Sequence, residues 1–310
     1  FYSSVNSLEL FKTQKFYQID ISILKDLGYD VLLSNRIFDS LLFWKYDILF
    51  SYFYRYSFFA ALLAKCFGKK TYFTGGIDSL DSDYASAFNY KIQALFFKLC
   101  YWVADSCIIV SQSDLKNIFK VSSLKKKLSY SEHVINTKLF IADVPKEKIF
   151  TSIVWMGDEG NVVRKGVDKA LQIFAELKKI PEFVDYRFVI IGRKGEGEVL
   201  VRSIIDKYNL KGSVELKGEV SEEDKINLLK QSKYYFQLSL YEGFGLAALE
   251  ALCANNIIIH SGKGGLANPI YKEQLLFDID NDFDSELLKL VNKLACFTPI
   301  TSYDNLLEYY

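Results

Sequence analysis

From Phe1 to His260 the chain repeats one phrase: a short run of Val, Ile, Leu, Phe and Tyr, then a longer segment with apolar residues at helical spacing. Two of the helical segments stop at a glycine, Gly28 and Gly68. That alternation predicts parallel strands joined by crossover helices, because a parallel pair needs a long connection and the sheet must then be covered on both faces. The first series reads as a strand end at 1–4, a helix over 16–27 stopped by Gly28, and a strand at "YDVLLS". It continues with a strand at "YDILFSYF", a helix at "YSFFAALLAKCFG", a strand at "KTYFT", a helix over 89–104 and a strand at "SCIIVS". The pattern lapses over 138–148, where "DVPKEK" reads as a linker. It resumes with "FTSIVWMG", a helix over 167–179, "YRFVIIG", a helix over 198–208, "SVELKG", a helix over 222–231, "YYFQLS", a helix over 246–254 and "NIIIHS". The expected fold is α/β, with two doubly wound parallel-sheet domains at 1–145 and 146–284. The tail at 285–310 holds a helix, a break at Pro299 and "SYDNLLEYY". It either packs back on the first domain or ends the second. Ligands of such sheets bind at the carboxyl ends of strands, and with two sheets the expected place is a cleft between them.

Length agrees with two domains: 310 residues at about 150 per domain. Lys plus Arg equals Asp plus Glu at 38 each, so net charge names no partner. The charges are unevenly spread, with 19 basic and 14 acidic residues up to Lys148. That surplus fits an acidic acceptor or an anionic membrane face, or arises by chance. Five dispersed cysteines read as reduced residues of a cytosolic protein, and two histidines make a histidine-based metal site a poor expectation. Nothing in the sequence favours nucleic acid. No signal peptide is evident in a chain that starts at Phe1, and the longest charge-free piece of the most apolar window, Tyr56 to Ala64, is too short to span a bilayer. The expected location is cytoplasmic, with a peripheral contact on the inner membrane face allowed for.

The stretch "LSLYEGFGLAALEAL" puts Glu242 just before a Gly-Phe-Gly and Glu250 inside an apolar helix. A buried carboxylate is costly unless something binds it, so Glu250 needs a structural partner or a ligand. Gly243 and Gly245 let backbone approach a ligand, and the helix that starts at Leu246 offers unpaired N–H donors to an anion. Glu250 lies about 7–8 Å along the axis from that helix start. The plainer reading makes both glutamates surface acids of an amphipathic helix.

With "GNVVRKGVDKALQIFAEL", "FVIIGRKGEGE", "VELKGEVSEEDKINLL" and "GKGGL" in the same order around it, this stretch resembles the donor-binding domain of GT-B glycosyltransferases, family 4 type, also described as glycosyl transferases group 1. The resemblance is good from about 152 to 269 and looser before that. It implies a GT-B fold of two Rossmann-like domains. It also implies a retaining transfer of a sugar from a nucleotide-diphosphate donor to a saccharide or lipid-linked acceptor, with no cofactor and no metal, in cell-surface polysaccharide synthesis. In that reading Glu242 touches hydroxyls of the transferred sugar and Lys165 neutralises the diphosphate. Glu250 accepts from the ribose, and the loop of Gly243, Phe244, Gly245 and Leu246 holds phosphate. Ser239 caps or donates to phosphate. Gly218 and Val220, in the turn after "VELKG", face the base, and Gly264 and Gly265 form a small-residue loop near the sugar.

The sequence also departs from the family pattern. The phosphate-clamping arginine has no match in position, leaving Arg193, after "FVIIG", or Arg164, which reads as a solvated charge. Phe11 and Lys12 stand where a glycine pair is usual, and "TGGID" stands where a histidine is usual, so Gly75, Gly76 and Asp78 are the acceptor-side candidates. Asn268 replaces a common glutamate and Asn255-Asn256 a tight turn. His260 reads as structural. The aromatic run 52–59 reads as core more than as a sugar or lipid platform. The departures keep open, as the alternative, a non-catalytic GT-B subunit. The asymmetric pair of acids argues against an epimerase. The assignment falls if a bound sugar nucleotide lies elsewhere, or if Glu250 points at bulk solvent or at a mere salt-bridge lysine.

Overall fold

The computed structural model describes residues 1–123, 125–141 and 144–296. The chain divides into two compact units, Phe1–Val134 and a second that starts at Ile135.

The first unit runs β1 (Tyr2–Ser3), α1 (Leu10–Thr13), α2 (Lys15–Asp26), β2 (Ile48–Tyr52), α3 (Ser57–Cys66), β3 (Lys70–Thr74), α4 (Ala87–Val103), β4 (Ser106–Ile109), α5 (Gln112–Val121) and β5 (Leu128–Tyr130). The five strands are parallel in the order β1-β2-β3-β4-β5. Alanines 60, 61 and 64 let α3 lie close on the sheet, over a core that includes Phe73, Phe97, Cys100 and Cys107. The strand expected at "YDVLLS" shrinks to one parallel bridge between Ser34 and Tyr2. Its neighbour β1 is only two residues long, so a longer ladder has nothing to pair with, and Leu32 and Leu33 stay exposed. Counting Ser34, which pairs on the other side of β1, the strand order reverses between β1 and β2 while every pairing stays parallel. Of the aromatic run, Tyr52, Tyr54 and Phe58 are core, whereas Tyr56 and Phe59 are exposed.

The second unit runs β6 (Glu147–Ile153), α6 (Glu159–Arg164), α7 (Val167–Leu177), β7 (Arg187–Ile191), α8 (Glu198–Lys207), β8 (Val214–Gly218), α9 (Glu222–Gln231), β9 (Ser232–Gln237), α10 (Leu246–Cys253), β10 (Ile257–His260), β11 (Leu275–Leu276) and α11 (Phe283–Cys296). Its six parallel strands are ordered β11-β10-β9-β6-β7-β8. The order reverses between β6 and β9, which makes their carboxyl ends the topological switch point where such sheets take ligands. Phe150 of β6 stacks on Tyr234 and Phe236 of β9, at 4.6 and 5.1 Å between ring centres, and this fixes the two central strands against each other.

The boundary falls before the expected 145/146 break. Phe140 is buried among Leu229, Tyr235, Leu249 and Leu252, with Ile135 packed beside it. Lys146 Nζ donates to the carbonyls of Leu229 and Ala254, at the ends of α9 and α10. The supposed linker is therefore fastened to the second unit. Leu290 and Leu294 of α11 enter that unit's main core. Pro299 and "SYDNLLEYY" lie outside the described residues.

A fragment of residues 135–296 is expected to unfold cooperatively in urea. A fragment of 146–296 should be less stable by about 3 kcal/mol, the usual loss for a deleted core phenylalanine. Equal midpoints would place Phe140 outside the folding unit.

Candidate functional site

At the end of β9, Tyr235 and Gln237 share one face of the strand, and Ser239 follows two residues beyond it. All three are buried. The Tyr235 hydroxyl donates to Gln237 Oε1 at 3.1 Å, and Gln237 Nε2 donates to Ser239 Oγ at 2.9 Å. Ser239 Oγ and Gln237 Nε2 then donate to Glu242 Oε2, at 2.9 and 3.2 Å. This relay begins in a buried strand and ends on a carboxylate at the switch point. Its orientation is internally consistent, since each hydroxyl and the amide both give and receive.

Lys165 reaches the same carboxylate from the other loop. The Asp158 side chain caps α6 by accepting from the Asn161 N–H at 2.7 Å, and α6 ends at Lys165. Gly166 follows with φ +67°, and a Cβ there would lie 2.0 Å from the Leu238 carbonyl oxygen. The Leu240 N–H donates to the Arg164 carbonyl at 2.8 Å. Backbone thus lies on backbone, and Lys165 Nζ donates to both Glu242 oxygens, at 2.9 and 2.8 Å. Burial pulls the Glu242 carboxyl upward. The Lys165 charge, the hydrogen bonds from Lys165 and Ser239 and the nearby Arg164 outweigh it and hold the group below the ordinary carboxylate range.

Past Glu242 the chain turns through Gly245, φ +89°, into α10, whose start has no capping side chain. Gly264 and Gly265 brace this loop from behind. A Cβ on Gly264 would sit 2.2 Å from the Glu242 carbonyl oxygen, and the Gly265 N–H donates to that oxygen at 2.6 Å. Their closeness is to backbone, a more specific reason for glycine than the expected nearness to a sugar. The Phe244 ring belongs to the core, and Leu246 packs against the same cluster. Gly243 and Leu246 are half-buried, whereas Phe244 and Gly245 are buried.

Glu250 is buried, so the surface reading fails for it. Its Oε2 receives Lys225 Nζ at 2.7 Å, and Lys225 also meets Glu222 at 3.0 Å and lies over the Phe140 ring at 5.9 Å. Of the two partners open to this acid, the structure supplies a structural one. That is the salt-bridge lysine set above as the outcome on which the assignment falls, and the arrangement around Glu250 gives a ribose role no support. Arg164 corrects the other way: it is half-buried and donates through Nη2 to Asn161 Oδ1 at 2.7 Å, so it is not a solvated charge. Arg193 lies two residues beyond the end of β7, with an exposed side chain. Gly218, φ +76°, closes β8 and its carbonyl accepts from the Gly192 N–H at 2.8 Å. Val220 packs with Ile149, Val189, Ile191 and Leu228. His260 is buried, which drags its imidazole down to about 4 and keeps it neutral at neutral pH. Asn255 adopts a left-handed backbone after α10, and Asn268 Oδ1 accepts from the Ile270 N–H at 3.0 Å, so both departures serve turns.

In the first unit Gly75 has φ +104°, and a Cβ on it would touch the Tyr52 and Phe53 rings at 3.1 and 3.2 Å. Gly76 is half-buried beside it, and Asp78 opens a short helical turn. Buried Asp114 on α5 accepts from the Ile77 N–H at 3.3 Å, and Asn117 Nδ2 donates to Asp81 Oδ2 at 3.1 Å. The sequence reading missed both ties. It also missed Phe53, held at φ +68° at the end of β2, where a bulky residue is strained. Phe11 is buried in an aromatic cluster with Tyr17 and Tyr52. Among the described residues no helix is long and apolar enough to cross a membrane, and no group of three or more His, Cys, Asp or Glu is placed to hold a metal.

Comparison with known proteins adds the following. Residues 160–294 match the family described as glycosyl transferases group 1. The chain is 32% identical over 163 residues to a GDP-mannose:cellobiosyl-diphosphopolyprenol alpha-mannosyltransferase of Xanthomonas oryzae, covering 46% of this chain and 40% of that protein. It is 27% identical over 129 residues to the phosphatidylinositol N-acetylglucosaminyltransferase GPI3 subunit of Saccharomyces cerevisiae, covering 42% and 28%. The chain thus spans less than half the length of either relative. Sucrose-phosphate synthase from Thermosynechococcus elongatus superposes with a TM-score of 0.64 at 19% identity, over 94% of this chain and 71% of that one. Anabaena Alr3699/HepE in complex with UDP does so with 0.66 at 12%, over 88% and 80%. At these identities the solved structures establish the fold, two parallel-sheet α/β units of the GT-B class.

Glu242→Gln is expected to cost roughly 1–3 kcal/mol at neutral pH, because Lys165 loses its counter-charge. The wild-type carboxyl titrates lower when folded than when unfolded. Its stabilisation is therefore complete above about pH 5 and disappears as the pH falls through the folded value. Urea unfolding of both proteins across that range should show the gap closing on acidification. A gap independent of pH would mean that the pair does not hold Glu242 ionised.

Proposed function

We propose, from the match of residues 160–294 to the glycosyl transferases group 1 family, that the chain is a retaining glycosyltransferase moving a sugar from a nucleotide-diphosphate donor to a saccharide or lipid-linked acceptor. The observation that carries this reading is the two-oxygen contact of Lys165 with Glu242 beside the uncapped start of α10. The donor diphosphate rests on the main-chain N–H groups of the 243–246 loop, where the helix end favours negative charge. Lys165 moves from Glu242 to the leaving phosphate and stabilises the charge that develops there. Glu242, still held by Ser239 and Gln237, accepts hydroxyls of the sugar.

Transfer then follows a front-face route. The bond from the sugar's anomeric carbon to the phosphate oxygen breaks. The acceptor oxygen bonds to that carbon on the same face, and its proton passes to the departing phosphate. The donor supplies both base and leaving group, so the route needs no carboxylate nucleophile and no cofactor. Arg164, part of the field on Glu242, and Arg193 add positive charge. Gly218 and Val220 border the base. Glu250, neutralised by Lys225, fastens α9 to α10. Gly75, Gly76 and Asp78 of the first unit are the acceptor candidates of this proposal. The Xanthomonas relative, named for transfer to a diphosphopolyprenol, favours a lipid-linked acceptor and a role in bacterial cell-surface polysaccharide synthesis on the cytoplasmic side.

The test is turnover with a panel of UDP-, GDP- and ADP-sugars, with and without acceptors. Wild type should release nucleotide diphosphate, and Glu242→Ala or Lys165→Ala should lower kcat about a hundredfold or more, the scale set by one lost oxyanion contact. Nucleotide binding with no turnover under any condition would favour the non-catalytic subunit instead, a reading that the missing family arginine and histidine positions motivate.

A further inference from the structure

The buried face of α4 carries Gln93, Phe97, Cys100 and Tyr101. The opposite face carries Phe88, Lys91, Leu95, Lys98 and Trp102, at alternating spacings of three and four, which is one line along a helix. All five are exposed, and the apolar three strongly so: Phe88 73%, Leu95 57% and Trp102 68%. Beside the line, exposed Phe59 of α3 meets the Phe96 ring at 6.2 Å, which extends the apolar surface across two helices. A surface helix normally shows water its charged side. This one shows a phenylalanine, a leucine and a tryptophan separated by lysines, and it has no acidic residue along its length.

We propose that this face of α4 lies on an anionic lipid surface. An interfacial helix needs apolar side chains to enter the headgroup boundary, cations beside them for lipid phosphates, and a tryptophan at the polar edge; the line provides all three. Seventeen residues with two lysines on the outer face suit lying on a bilayer rather than crossing it. The occupant is a membrane rather than a second copy, because two such faces meeting would set Lys91 and Lys98 against their own images, whereas anionic headgroups complement them. The basic surplus of the first part of the chain has the same sign. The inference rests on the first unit's surface alone and is independent of the donor-site reading.

The test is flotation of the full chain with vesicles of phosphatidylcholine, with and without phosphatidylglycerol. Binding is expected only with the anionic lipid and should weaken in high salt. Leu95→Glu, and separately Lys91→Glu with Lys98→Glu, should each reduce partitioning about tenfold or more, with thermal midpoints unchanged because the side chains are exposed. In a Trp44→Phe, Trp155→Phe background, Trp102 emission should shift to the blue on anionic vesicles. Absent binding, binding unchanged in these variants, or a concentration-dependent dimer abolished by Leu95→Glu would each overturn the proposal. Nucleotide binding measured without vesicles should be the same in all variants, so a failure here leaves the donor-site reading untouched.

Discussion

Lys165 and Glu242 stand 77 positions apart, and their ion pair requires two loops to arrive at one point. Each charge alone, half-buried, would cost several kcal/mol, and the pair repays that cost only when the remaining lone pairs are also satisfied. Gln237 and Ser239 satisfy them. The loops are also pinned where side chains are missing: Gly166 against the Leu238 carbonyl, and Gly264 against the Glu242 carbonyl. The electrostatic contact and the close backbone contacts reinforce each other. Separating the loops would expose the ions, while a side chain at either glycine would push the ions apart.

This arrangement bears on the proposed chemistry. A site that must receive a diphosphate cannot keep a bare lysine beside a bare carboxylate, since each would find some other partner. Here each already has its partner in the other. A phosphate brings more negative charge than Glu242, and the start of α10 adds its own field, so Lys165 can change partners without passing through an unpaired state. Glu242 then retains two neutral donors, which keep it in place and leave acceptor capacity for hydroxyls. The polar relay thus fixes the position of the acid independently of the cation.

The alternation of strand and helix was legible because apolar period and glycine stops are local signals. The helix over 222–231 needed no revision, and the ends of the others moved by at most two residues. Two readings failed where the determining fact was not local. "YDVLLS" has the composition of a strand, but its ladder depends on the length of β1, which lies elsewhere in the chain. The segment around Phe140 has linker composition, but its anchor is a pocket formed by α9, β9 and α10. At the site, Glu242 and Lys165 were visible through motif spacing. Gln237 was not singled out, although a polar residue two places after Tyr235 and two before Ser239 marks a wet face on an otherwise apolar strand. Lys225 carried no local signal at all, since its role appears only when α9 and α10 are side by side.

The two acids of the "EGFGLAALE" stretch show the limit of spacing as evidence. Both are taken up by a lysine, so pairing alone does not separate them. What separates them is the rest of each environment. Lys225 is held by two glutamates and an aromatic face, and Glu250 sits inside the packed seam of two helices, so a ligand there would have to undo several contacts together. Lys165 has Glu242 as its principal anchor, beside a helix start that no side chain caps, so in the proposed chemistry an anion replaces it in one exchange. Spacing decides which side of a helix an acid takes. Whether that acid serves a ligand or a brace is decided by how many partners its counter-ion would have to give up.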